Sequence, residues 1–110
     1  MNPTESQRET WEELQATAKQ TVDALIARSP DELRLEALRI GYELHKRCRD
    51  EHLWGCYWRS AQLIELYVEA IREDCLEQSL DFCTEIERTY LHELGHHLGL
   101  EEDAIEKYGL

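Results

Sequence analysis

Three of the chain's five histidines fall within the six residues from His92 to His97, and Glu93 follows the first of them. On a helix, His92 and His96 would project from one face about one turn apart, because they are separated by four residues. Two imidazoles at that spacing can bind one zinc ion, with Zn–N bonds of about 2.0–2.1 Å. A carboxylate beside the pair can act as a general base. This H-E-x-x-H arrangement predicts a zinc site that activates water.

A catalytic zinc ion needs a third protein ligand. The same helix cannot supply it beyond Gly99, where we expect a left-handed residue to end the helix. The turn can direct the following chain back to the metal, and two acids, Glu102 and Asp103, come ten and eleven residues after His92. His97 would point away from the ligand pair, which favours a surface location or a supporting role over ligation.

The spacing of apolar residues predicts the elements that must hold this stretch in place. Near the N-terminus, apolar residues recur at three- and four-residue steps as far as Arg28, which is typical of a helix, and Thr4 is a fair N-cap for it. The sequence "SPDEL" then begins a second, short helix, because Ser29 can cap it and Pro30 suits its first position. We therefore expect two N-terminal helices.

After these two helices, apolar and polar residues repeat with a period of two, which predicts strands. Apolar and polar residues alternate from about Leu38 to Arg47, again in "LWGCYWR", and again in "LIELYVEAI". A short polar link joins the last two runs, which predicts a hairpin. Residues 60–73 can also be read as a helix, because Ala, Glu and Leu are good helix formers.

Helical spacing returns from about Ser79 to Leu98 and carries the histidines. Thr84 and Glu87 match a capping box, so the regular helix can also begin there. Along the chain, helices come before and after a small, mostly antiparallel sheet. This order indicates an α+β fold with a C-terminal active-site helix. We expect one domain over residues 1–110, with residues 1–5 flexible.

An excess of acidic residues restricts the partners of this chain. Lysine and arginine number 12 against 24 aspartates and glutamates, so the formal net charge is -12. Such a field repels nucleic acids and anionic membranes and favours basic partners, although solubility alone explains it. No apolar run approaches the roughly 20 residues that cross a bilayer, and the first residues do not resemble a secretory signal. We therefore expect a soluble, cytoplasmic protein that binds neither nucleic acid nor membrane.

The four cysteines show no C-x-x-C spacing; they are Cys48, Cys56, Cys75 and Cys83. In a cytosolic chain we expect them to be reduced and partly buried. Two alternatives stay open: a zinc site made by the four cysteines, and a second metal site in which Cys48, Cys56 and His52 surround one polar break.

Residues 62–110 resemble the small bacterial zincin-like metallopeptidases that have a minimal protease domain. The similarity rests on "IELYVEAI" followed by "EIERTYLHELGHHLGLEEDAIEKYGL", where the H-E-x-x-H residues, the doubled histidine and Gly99 match the extended zincin pattern. Weaker similarity extends over residues 10–60. Two features depart from related zincins: Glu102 stands where Asp-zincins have Asp, and there is no Met-turn, because the only methionine is Met1.

The resemblance implies a minimal zincin fold and a zinc-dependent peptidase. Zn²⁺ would be held by His92, His96 and Glu102, with Asp103 as the alternative third ligand, and would lower the pKa of a bound water. Glu93, the predicted catalytic residue, would accept the proton of that water as it attacks a peptide carbonyl. By fold analogy, "LIELYVEAI" at the edge of the sheet would pair with an extended peptide substrate.

Two other functions fit the same residues. A zinc-stabilised interaction module would keep the metal and the acidic surface without catalysis. A metal-free α+β protein would use the acidic surface alone to recruit a basic partner. In so short a chain an open cleft would position peptides loosely, so we expect any hydrolysis to be slow or narrowly specific.

Overall fold

The computed structural model describes residues 9–100 of the chain. Within this range the elements follow in the order α1 (Trp11–Arg28), α2 (Asp31–Arg39), β1 (Gly41–His45), β2 (Gly55–Trp58), β3 (Leu63–Tyr67), α3 (Val68–Gln78) and α4 (Phe82–His97). The predicted α+β class is therefore confirmed, with two helices before the sheet and the histidine-bearing helix after it.

The three strands form one mixed sheet in the order β1-β3-β2. β2 runs antiparallel to β3, which confirms the predicted hairpin, whereas β1 runs parallel to β3. β3 takes the central position because it is the most buried strand, with Ile64 and Leu66 fully shielded from solvent. The prediction that "LIELYVEAI" forms a sheet edge is therefore wrong: β3 has a partner on each side, and β1 and β2 are the edges.

Two strand boundaries differ from the prediction. Leu38 and Arg39 belong to α2, so the first strand is Gly41–His45 rather than a run beginning at Leu38. The alternation of "LIELYVEAI" ends at Tyr67, and the helical alternative is correct from Val68 onward. Tertiary burial explains the switch, because the buried residues after this point recur at helical spacing; they are Val68, Ala70, Ile71 and Cys75.

The N-terminal helices begin at other residues than predicted. α1 starts at Trp11, and its N-cap is Thr10, whose Oγ1 accepts a hydrogen bond from the Glu13 amide at 3.1 Å; Thr4 lies outside the described residues. Ser29 does not cap α2, because its hydroxyl donates to the Leu25 carbonyl at 2.7 Å and closes α1 instead. Pro30 takes the N-cap position of α2, one residue before the position predicted for it.

The core lies between the helices and one face of the sheet. Its largest fully buried side chains are Tyr90, Ile64, Leu66, Ile71, Ile86 and Leu94. Tyr90, Ile86 and Leu94 all come from α4, so the helix that carries the histidines is held on its apolar side by the core. No helix in the part of the chain that the structure describes is long and apolar enough to cross a membrane.

Candidate metal centre

The N-terminus of α4 is defined by Asp81. Its carboxylate accepts hydrogen bonds from the Thr84 amide at 2.9 Å and from the Thr84 hydroxyl at 2.7 Å. These bonds lower the pKa of Asp81, because they stabilise the charged carboxylate. The helix therefore starts at Phe82, and the alternative start at a Thr84–Glu87 capping box is wrong. Asp81 therefore fixes the start of the helix that carries the histidines.

The C-terminal end of α4 is a reversal built on Gly99, as predicted. Gly99 has a φ of +80°, in the left-handed region. Its amide bonds the His96 carbonyl at 3.0 Å, and the Leu100 amide bonds the Gly95 carbonyl at 3.0 Å. This pair of bonds is a Schellman motif, which ends a helix and turns the chain away from the helix axis. Leu100 consequently lines the same cavity as Glu93 and His96.

His92 and His96 lie one turn apart on α4, with ring centroids separated by 5.0 Å and the rings nearly perpendicular. Both histidines are half-buried. Glu93 is 8% exposed, which is rare for a carboxylate. All three side chains of the H-E-x-x-H motif are therefore at least partly sheltered from solvent.

Two cavities meet at Glu93. The first, of about 390 Å³, is lined by β2 residues and by Glu93, His96 and Leu100. The second, of about 290 Å³, is lined by Trp54, Gly55, Glu85, Arg88, Thr89, His92 and Glu93. Because Gly55 and Glu93 line both cavities, the general-base candidate lies where they join, with one motif histidine on each side.

Gly55 allows β2 to lie close against α4. A Cβ at this position would be 2.8 Å from the Cγ2 atom of Thr89, closer than real Cβ atoms approach another atom. The same Cβ would be 3.2 Å from the Glu65 carbonyl oxygen. Gly55 was not predicted as a site residue, although a glycine in a strand is a known signal of close backbone approach.

His97 bridges two other elements. Its Nδ1 lies 2.8 Å from the Tyr57 hydroxyl on β2, and its Nε2 lies 3.1 Å from a Glu36 carboxylate oxygen on α2. The side chain is only 12% exposed. Of the two predictions for His97, the surface location is therefore wrong and the supporting role agrees with the contacts. Tyr57 lines the cavity that contains Glu93 and His96, so His97 holds one wall of it.

The cysteines are unpaired thiols, as predicted, with Cys75 buried and Cys48, Cys56 and Cys83 half-buried. Cys56 lines the cavity beside Glu93 and His96. Burial raises the pKa of Cys56, and the nearby charge of Glu93 raises it further. A raised pKa keeps this thiol protonated at neutral pH, so Cys56 is a poor nucleophile.

The predicted third ligands, Glu102 and Asp103, lie outside the described residues. Among residues 9–100, one group of three side chains has metal-ligating atoms that all lie within 4.8 Å of one another: Glu43, His45 and Glu65. This group contains no cysteine, so the two cysteine-based metal sites have no geometric support in this part of the chain.

Comparison with known proteins shows the family. A profile of the family described as zincin-like metallopeptidase matches residues 15–110. Searches of curated proteins and of solved structures gave no significant match. The matched region contains all of β1 to α4 and the whole H-E-x-x-H stretch. The chain therefore belongs to the zincin-like metallopeptidase family.

Proposed function

We propose that this protein is a zinc-dependent peptidase whose site is formed by α4 and the reversal that follows it. One observation carries the proposal: Glu93 and His96 share a cavity with Leu100, the first residue beyond the Schellman turn. The chain after α4 thus begins at the cavity that already contains the general-base candidate and a metal-ligand candidate. Family membership supports the reaction class.

The residues present suit a zinc ion. His92 and His96 offer two nitrogen donors from one helical face, with centroids 5.0 Å apart. A carboxylate, Glu102 or the alternative Asp103, would complete a three-ligand set typical of catalytic zinc. Zinc bound there would supply Lewis acidity and a more acidic water. With three protein ligands, one coordination position is left for substrate or water.

Glu93 is the residue to which we assign proton transfer. The residue is 8% exposed, so it would act where few waters compete for its carboxylate. It would accept a proton from the attacking water and later donate that proton to the departing amine. A glutamine has the same shape but cannot accept the proton, which makes Glu93→Gln the decisive substitution.

β2 is the strand that would align a peptide substrate. Within residues 9–100 it pairs with β3 alone, so its outer edge can accept an added strand. Gly55, Cys56 and Tyr57 of β2 line the cavity that contains Glu93. A peptide added there would place its backbone carbonyls beside the general base. The expected substrate is therefore an extended peptide, and the net charge of -12 favours basic sequences.

The test compares the zinc-loaded wild-type protein with Glu93→Gln and the control Glu87→Gln. Glu87 is on the same helix but pairs with Arg28 of α1 at 2.8 Å. We expect a mixture of internally quenched peptides to be cleaved by the wild type and by the control but not by Glu93→Gln, with zinc content equal in all three proteins. Equal cleavage by Glu93→Gln would contradict the assignment.

Zinc retention separates the peptidase from its alternatives. We expect His96→Ala to bind one zinc fewer than the wild type, measured by metal analysis after dialysis. If the wild-type protein binds zinc but hydrolyses no peptide under any condition, the result would indicate the zinc-stabilised interaction module. No zinc in the wild type would indicate the metal-free binding protein.

A further inference from the structure

The face of the sheet that points away from α4 carries polar side chains. Ile64 and Leu66 of β3 join the core together with Tyr90 and Leu94 of α4. Side chains alternate along a strand, so Glu65, between these two core residues, projects to the opposite face. The strand register brings a second carboxylate to that face, because Glu43 of β1 lies directly opposite Glu65.

Three potential metal ligands converge on this face. The Nε2 atom of His45 lies 2.9 Å from Oε2 of Glu65 and 3.0 Å from Oε1 of Glu43. Glu43 and His45 are two residues apart on β1, so they share one face of the strand. Tetrahedral zinc with bonds of about 2.0–2.2 Å separates its ligand atoms by about 3.4 Å. The two distances from His45 would therefore have to lengthen by only about half an ångström to admit an ion.

The charges around these residues favour a cation. Glu43 and Glu65 are cross-strand partners, and like charges directly opposite each other destabilise a sheet. Among residues 9–100, the only ion-pair partner of either carboxylate is His45. An imidazole can carry at most one positive charge against two negative ones, in a chain of net charge -12. A divalent cation would balance both carboxylates and use neutral His45 as a ligand.

Glu65 is held in the orientation that such a site requires. Its Oε1 atom accepts hydrogen bonds from the Tyr67 hydroxyl at 3.3 Å and from the Trp58 indole N–H. Its other oxygen, Oε2, is the one that faces His45. Hydrogen bonds to the far oxygen of a carboxylate orient it as a metal ligand and tune the site. The Glu65 side chain is 18% exposed, against 55% for Glu43, so Glu65 is the fixed ligand.

We propose that Glu43, His45 and Glu65 bind a second divalent cation, which links β1 to β3. One nitrogen and two carboxylate oxygens suit a first-row transition metal such as Zn²⁺ better than Ca²⁺, which takes six to eight oxygen ligands. The site shares no residue with the His92–His96 pair. The proposed cation site can therefore be tested independently of the proposed peptidase activity.

The experiment counts zinc ions bound to the full-length protein. Metal-free protein is titrated with Zn²⁺ by calorimetry, and zinc is measured after dialysis. We expect His45→Ala and, independently, Glu65→Gln to bind one zinc fewer than the wild type. His52→Ala is the matched control, because His52 also pairs with a carboxylate, that of Asp74 at 2.8 Å, but with only one. The control should bind as much zinc as the wild type.

A double variant isolates the second site. His92→Ala combined with His96→Ala removes the motif ligands, and we expect it to retain one zinc, which the further change His45→Ala abolishes. Zinc should also raise the thermal midpoint of the double variant but not that of the triple variant. Unchanged zinc binding in both His45→Ala and Glu65→Gln would overturn the proposal. Folding of each variant is checked by circular dichroism, and the two single variants keep the test valid if the double variant does not fold.

Discussion

The hydroxyl of Tyr57 on β2 lies 2.8 Å from Nδ1 of His97 on α4. The other ring nitrogen of His97 lies 3.1 Å from Glu36 on α2, so one half-buried imidazole joins three elements that are distant in sequence. The Tyr57 and His97 rings also meet edge to face, with centroids 5.4 Å apart. These contacts hold β2 beside the helix that carries Glu93 and His96.

Removing the contacts of His97 with Tyr57 and Glu36 should lower the free energy of unfolding, and the two losses should not be additive. We expect Tyr57→Phe to lower the free energy of unfolding by about 1 kcal/mol, because His97 loses one hydrogen-bond partner. Combined with Glu36→Gln, the losses should deviate from additivity by about 0.5 kcal/mol or more, since both partners act through one ring. Urea unfolding of the wild type, both single variants and the double variant measures the coupling. Glu32→Gln, an exposed acid on α2, serves as the control, and strict additivity would contradict the bridge.

Gly55→Ala should destabilise the protein by about 1–3 kcal/mol, because the added Cβ overlaps Thr89 and approaches the Glu65 carbonyl. Gly41→Ala is the matched control on β1. A Cβ there would find its nearest neighbour, Leu63 Cδ1, at an ordinary 3.5 Å, so we expect a change below about 0.5 kcal/mol. Chemical denaturation of both variants makes the comparison, and equal effects would show that the contact at Gly55 is not tight.

Thr89→Ser should partly rescue Gly55→Ala. Serine lacks the Cγ2 methyl that the new Cβ would meet, yet it keeps the hydroxyl that donates to the Glu85 carbonyl at 2.7 Å. Rescue should be incomplete, because the Glu65 carbonyl still lies 3.2 Å from the added atom. The double variant is compared with each single variant by the same denaturation, and no recovery at all would place the clash elsewhere.

Tyr90 should make the protein sensitive to alkali. Burial raises its pKa from 10.0 to about 12, with a smaller contribution from the charge of Asp23. The folded state therefore keeps the proton longer than the unfolded chain, so this contribution to stability is full below pH 10 and is lost as the pH rises towards 12. Two pKa units correspond to about 2–3 kcal/mol.

Tyr90→Phe removes that titration. We expect the variant to lose less unfolding free energy than the wild type over the same alkaline range, measured by urea unfolding at a series of pH values. Tyr42 and Tyr67 also have raised pKa values in both proteins, so the difference between the two profiles reports the part that depends on the Tyr90 hydroxyl. Parallel pH profiles would show that Tyr90 does not contribute.

The third zinc ligand can be identified by separate substitution of the two candidates. We expect Glu102→Ala to weaken zinc retention at the motif site by 10-fold or more and Asp103→Ala to leave it nearly unchanged, because losing one of three protein ligands opens the coordination shell. Competition with a chromogenic chelator measures both affinities, on a His45→Ala background so that one site is observed. The reverse result would assign the ligand to Asp103.

Local patterns predicted most of the elements because helices and tight turns close their hydrogen bonds within a few residues. The reversal at Gly99 is the clearest case, since its position directly after Leu98, the last apolar residue of the helical repeat, predicted the left-handed φ that the structure has. The strand that ends at Tyr67 is the opposite case. In the sequence, apolar and polar residues continue to alternate through "VEAI", whereas burial of Val68 and Ile71 against the core makes that segment helical.

Sequence by itself determined the H-E-x-x-H spacing, the two acids that follow Gly99 and the α+β order of the elements, because each depends on residues that are close together in the chain. Tertiary structure alone decided which strand lies at the sheet edge, that Gly55 lets β2 approach α4, and that Glu43 meets Glu65 across β1 and β3. These relationships join residues 20 or more positions apart, so the spacing of apolar residues along the chain does not predict them. They depend on which surfaces bury the most apolar area when the whole chain packs.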